Sequence, residues 1–100
     1  MADFCITHVR YNKDKTHITY VKVREEIVVD KKIKLGPSRT VARGFVADLI
    51  RLDKATFQTR VLNDNNQLAR GAKVHLFDEE YLSTDKNSSK RDNLGNLPEF

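Results

Sequence analysis

Two stretches near the start of the chain, residues 4–11 and 17–24, mix apolar and polar side chains at strand spacing and are rich in β-branched and aromatic residues; the polar run Asn12-Lys13-Asp14-Lys15-Thr16 separates them. This is the pattern of a β-hairpin. With the turn centred near Asp14, Tyr11 faces His17, and Cys5, Thr7 and Val9 share the expected core face with Thr19, Val21 and Val23. The opposite face carries Phe4, Ile6, His8 and Arg10 beside Ile18, Tyr20, Lys22 and Arg24. A slip of one residue exchanges the two faces, because side chains alternate along a strand.

Residues 25–35 admit two readings, an irregular extension of the sheet around Asp30-Lys31 or a mobile loop. Gly36-Pro37-Ser38 then breaks the pattern, after which Val41, Ala42, Phe45, Val46, Leu49 and Ile50 recur at helical spacing. Ser38 is a good N-cap, so a helix is expected over residues 38–52 with that stripe buried. Residues 56–62 read as a strand with Phe57, Thr59 and Val61 on one side, 63–66 as a turn, and 67–77 as a returning strand interrupted at Gly71. The order β-β-α-β-β predicts a single α+β domain over residues 1–84, an antiparallel or mixed sheet of about four strands with one helix packed on it.

Residues 85–100 read as a polar linker followed by an apolar docking segment. Lys86 to Arg91 has almost no apolar side chain and cannot offset its ordering entropy by burial. Leu94, Leu97 and Phe100 then recur every third residue, with Pro98 stiffening the last step. They need a groove, on their own domain or on another chain. The pattern Tyr81-Leu82-x-Thr84, Asn87 and Asp92-Asn93-Leu94-Gly95-Asn96-Leu97-Pro98-Glu99-Phe100 resembles the ending of a family of small bacterial domains of unknown function, and the opening Ile6-Thr7-x-Val9-Arg10-Tyr11 and the expected helix start at Ser38 also resemble that family. The resemblance implies a bacterial or phage origin and a cytoplasmic setting. It carries over no activity, substrate or catalytic residue.

At 100 residues the chain has room for one modest core. A lone cysteine, Cys5, excludes an internal disulfide framework and suits a reducing compartment. No apolar run is long enough for a membrane helix, and Met1-Ala2-Asp3 lacks the basic and apolar regions of a signal peptide, so a cytoplasmic protein with no membrane partner is expected. Residues 1–77 hold 15 Lys/Arg against 8 Asp/Glu, and residues 78–100 hold 3 against 6. A basic body with an acidic ending attracts phosphates or acidic proteins.

Catalytic patterns are scarce: there is no Gly-rich phosphate loop, nucleophile elbow or zincin helix. Cys5-x-x-His8 with His17 and His75 makes a poor metal set, because strand parity points residues 5 and 8 to opposite faces; no metal or cofactor is expected. Asp78-Glu79-Glu80 suits a solvated strand end better than a hydrolase site. Two features suggest binding. Ser38, Arg39 and Arg43 at the expected helix start place two guanidinium groups by free backbone N–H groups, a candidate anion site. Phe4, His8, Arg10, Tyr20, Lys22 and Arg24 interleave aromatic and basic side chains on one hairpin face, a candidate surface for single-stranded nucleic acid. The reading favoured is a non-catalytic binding module for protein–protein interaction or self-association. Anion or nucleic-acid binding is the alternative, and a small hydrolase the third reading.

Overall fold

The β-branched and aromatic runs draw the chain into strands almost from its start: β1 is Phe4–Tyr11 and β2 is Ile18–Val29. The computed structural model describes residues 2–15, 17–62, 65, 67–77, 81–84, 94 and 97–100. The expected linker Lys86 to Arg91, the Asp78-Glu79-Glu80 carboxylates and most of the 63–66 turn lie outside the described residues. After β2 come β3 (Lys32–Leu35), β4 (Arg39–Ala42), the helix α1 (Arg43–Arg51), β5 (Phe57–Leu62), β6 (Leu68–Phe77) and β7 (Tyr81–Ser83). Among the described residues no helix is long and apolar enough to cross a membrane.

The result is a sheet-rich α+β fold with one helix. The sheet has seven strands and is mixed, where about four were expected. Its order is β3-β2-β1-β5-β6-β7, and β4 pairs with β2. β1 and β5 run parallel, Phe4 beside Phe57 and Ile6 beside Thr59; the other strand pairs are antiparallel. A parallel pair needs a long crossover, which here includes α1. Beyond Ile6 the place beside β1 passes to the end of the chain, where Val9 N–H donates to the Pro98 carbonyl at 2.9 Å and Phe100 N–H donates to the Val9 carbonyl at 3.1 Å.

Residues 25–35 are a regular hairpin that extends the sheet. Asp30 and Lys31 sit at φ 51° and 64°, the left-handed pair that a two-residue turn between strands requires. Lys31, with no Asn or Gly propensity for that region, hides the turn from a sequence reading.

The helix begins five residues after Ser38. Arg39 to Ala42 instead pair with Val23 to Tyr20 of β2, and β-branched Thr40 and Val41 suit that pairing better than a first helical turn. The N-cap is Ala42, with no side-chain capping bond. The other end closes in a Schellman arrangement, Lys54 N–H to Leu49 O at 2.9 Å and Asp53 N–H to Ile50 O at 3.0 Å, with Asp53 at φ 57° where glycine is usual. Within α1 Val46 and Ala47 face the core, while Phe45, expected in the buried stripe, is 55% exposed.

The core joins Ile6, Val9, Val21 and Val23 of the hairpin with Val46 of α1, Phe57, Val74 and Leu82 of the later strands, and Leu94 and Leu97. Leu97→Ala should therefore lower stability by roughly 2–5 kcal/mol, whereas Phe45→Ala should cost less than about 1 kcal/mol. Urea unfolding of the two variants checks this; equal losses would return Phe45 to the core.

Candidate functional site

Local register decides which side chains meet on each face of the sheet. Ile6 lies opposite Val23 and His8 opposite Lys22, so Thr7 is an extra residue, a β-bulge. A second shift, between Arg10, which faces Tyr20, and Tyr11, makes Tyr11 face Ile18, one residue on from the expected His17. The bulge changes the faces. Cys5 lies opposite Arg24 and joins His8, Arg10, Tyr20 and Lys22 on the polar side, whereas Phe4 and Ile6 turn to the helix side. Cys5 and His8 thus share a face despite their spacing, yet among the described residues no three His, Cys, Asp or Glu side chains group closely enough to hold a metal ion.

At the centre of the polar face lies a group that sequence reasoning missed. Glu26, its side chain wholly buried, accepts from Arg60 Nη2 at 2.8 Å and from Gln58 Nε2 at 2.9 and 2.6 Å. Arg60 Nη1 donates to the Leu68 carbonyl at 3.0 Å. Glu26 is on β2 and its partners are on β5, so the bridge crosses β1 above Cys5, which pairs with Arg24 and Gln58. Burial alone would push the Glu26 carboxyl up, but the hydrogen bonds from Arg60 and Gln58 and the charges of Arg60 and Arg70 outweigh it and hold the group below its ordinary value. Burial, with Glu26 nearby, pushes the Cys5 thiol up and keeps it protonated. In the sequence, Glu26 and Arg60 look like two more charges on solvated strand faces.

Arg10, Lys22 and Arg24 on this face are engaged within the chain. The Arg10 guanidinium lies 4.5 Å and Lys22 Nζ 4.8 Å from the centroid of the Phe100 ring, and Arg10 Nε donates to the Phe100 carbonyl at 3.1 Å. Arg24 donates to the carbonyls of Gly36 at 2.7 Å and Leu35 at 3.4 Å. His8 shares a 2.8 Å hydrogen bond between Nδ1 and Thr7 Oγ1, and burial, then the Lys22 charge, lowers its pKa. Tyr20 remains 45% exposed. Leu94 and Leu97 are buried, and Phe100 rests on this face.

Ser38, Arg39 and Arg43 do not converge. Ser38 is exposed between β3 and β4. Arg43 opens α1, donates to the Ile18 carbonyl at 3.4 Å and lines a shallow hollow of about 390 Å³ with His17, Tyr20 and Tyr81. Arg39 lines a different hollow, an apolar groove of about 220 Å³ between α1 and the sheet, walled by Phe4, Val41, Phe45, Leu49 and Phe57. Phe4 and Phe57 stack there with centroids 5.4 Å apart.

The chain belongs to the family described as "Protein of unknown function (DUF3892)", whose model matches residues 5–98. No curated protein and no solved structure matches it.

The depressed Glu26 pKa fixes the sign of a pH effect. Its stabilisation is fully present above the ordinary glutamate value of 4.5 and is lost as the pH falls through the lower folded-state value. Glu26→Gln should be clearly less stable than the parent at neutral pH, with Arg60 left buried without its counter-charge, and the gap should narrow below that value. Unfolding free energies at a series of pH values check this; a constant gap would mean the carboxylate charge is not what holds the bridge.

Proposed function

We propose that the protein is a non-catalytic binding module that docks another protein along the β3–β4 edge of its sheet and the apolar groove beside it. The observation that carries this reading is where apolar surface is left over. β2 outruns β1, whose pairing with it ends at Phe4 and Glu25, so residues 26–29 and β3 form a two-stranded arm. On this arm Ile27, Val28, Val29 and Ile33 are 37–50% exposed, on both of its faces, and Phe45 is more exposed still on the groove wall. An isolated two-stranded ribbon is marginal in water, and each such side chain contributes roughly 1.5–3 kcal/mol when fully buried. A covering partner therefore stabilises the arm directly.

The same accounting speaks against the polar face as the main docking surface. Arg10 and Lys22 are committed to the Phe100 ring, Arg24 to backbone carbonyls and Arg60 to Glu26. An RNA or DNA strand would have to displace these contacts before gaining its own. Arg70 and Lys73, both on β6, are exposed cations on this face.

A photo-crosslinking amino acid placed at Val28 or at Phe45, in the cell that makes the protein, should give a discrete covalent adduct with a second polypeptide. The same residue at Lys54, exposed beyond the C-terminal end of α1, should not. Absence of adducts from both groove and arm, or one identical ladder from all three positions, would overturn the proposal.

A further inference from the structure

Resting on that reading, we infer the chemistry of the partner: an extended segment that alternates acidic with apolar side chains and adds as a strand to the outer edge of β3. β3 ends the strand order, so its outward N–H and C=O groups face no further strand among the described residues. Such an edge is a ready template for strand addition. Parity along it is fixed by the register. Lys32 pairs with Val29, Lys34 with Ile27 and Arg39 with Val23, so all three cations stand in one row on the face of the sheet that carries Val23 and the groove. Ile33 pairs with Val28 on the opposite face. A strand laid along β3 therefore meets positive charge at every second position and an apolar pair at the positions between.

Charge also excludes the simplest alternative occupant, a second copy of the same edge. Two β3 strands side by side would bring their Lys32 and Lys34 rows together, and like charges directly across strands are destabilising. Lysines on an edge strand often serve only to block pairing. Blocking alone leaves no reason for Ile33 and Val28 to stay exposed on the other face, whereas an acidic and apolar strand satisfies both rows at once. The groove beyond Arg39 then has room for one larger apolar side chain against Phe45 and Val41. Gly36-Pro37-Ser38 divides β3 from β4, and Pro37 has no N–H to offer, so pairing is confined to short stretches.

The test uses the full chain labelled with ¹⁵N and a short synthetic peptide alternating glutamate with valine or isoleucine. Amide shifts should concentrate on Lys32 to Leu35 and Arg39 to Val41 and weaken as salt rises. The double variant Lys32→Glu, Lys34→Glu, both exposed and outside the core, should bind roughly tenfold more weakly. A peptide with lysine for glutamate should not bind. Equal binding by a peptide of the same composition in block order would reduce the effect to charge attraction and overturn strand addition. So would shifts centred on Arg70 and Lys73, or equal shifts from a single-stranded oligonucleotide. Crosslinks that persist at Val28 and Phe45 while the alternating peptide fails overturn the partner chemistry alone; loss of both overturns the docking reading beneath it.

Discussion

The carboxylate of Glu26 is the constraint on which the sheet's arrangement depends. It stands on β2 and is satisfied by Gln58 and Arg60 on β5, with β1 running between. A buried carboxylate without such partners is prohibitively costly, and so is a buried guanidinium. Each of the three strands is therefore held in one register relative to the other two. Shifting β2 by one residue in the direction that brings Ile27 to the place of Glu26 would turn Glu26 to the helix side and leave Arg60 facing an isoleucine. The residue beneath the bridge must also be small, which gives Cys5 its role as a compact core side chain.

The bulge at Thr7 follows from the same requirement. β1 must present Cys5 beneath the bridge and still send Ile6 and Val9 into the core on the other side, and one additional residue reconciles the two. Past the bulge β1 and β5 no longer pair. The final residues occupy the vacated place: Pro98 and Phe100 bond to Val9, Leu97 enters the core, and the Phe100 ring settles between Arg10 and Lys22. Polar bridge, bulge and returning segment thus form one chain of cause, with each step supplying the backbone or side-chain partners that the previous one left open.

Much of this was legible in the sequence, and what was not has identifiable reasons. Alternation gave the first hairpin and the common face of His8, Arg10, Tyr20, Lys22 and Arg24, because His8 and Arg10 lie on one side of the bulge and β2 alternates without interruption from Tyr20 to Arg24. Phe4 and Cys5 lie on its other side, and nothing in Phe4-Cys5-Ile6-Thr7 marks an extra residue, so parity assigned them to the wrong faces. The helix was legible as an apolar stripe, but its start was not. Ser38 is a competent N-cap by itself, and only the pairing of Arg39 to Ala42 with β2, a tertiary contact, overrides it. The Glu26–Arg60 pair was invisible because its members are 34 residues apart and each sits in a strand whose neighbouring charges are solvated.

The distribution of charge between the faces gives the net positive charge a physical meaning. On the polar face Arg60, Arg24, Arg10 and Lys22 are balanced locally, by a carboxylate, by carbonyl oxygens and by an aromatic ring, and Arg60, Arg10 and Lys22 hold β5 and the returning segment in place. On the β3–β4 edge Lys32, Lys34 and Arg39 form no such contacts among the described residues, and they stand beside apolar side chains that water surrounds at an energetic cost. Charge that is compensated within a fold carries little free energy for association, because a partner must first break what is already made. Uncompensated charge next to uncovered apolar surface carries both the long-range attraction that steers encounter and the burial that holds a complex together. That coincidence occurs at the β3–β4 edge of the sheet, and the docking proposed for this edge rests on it.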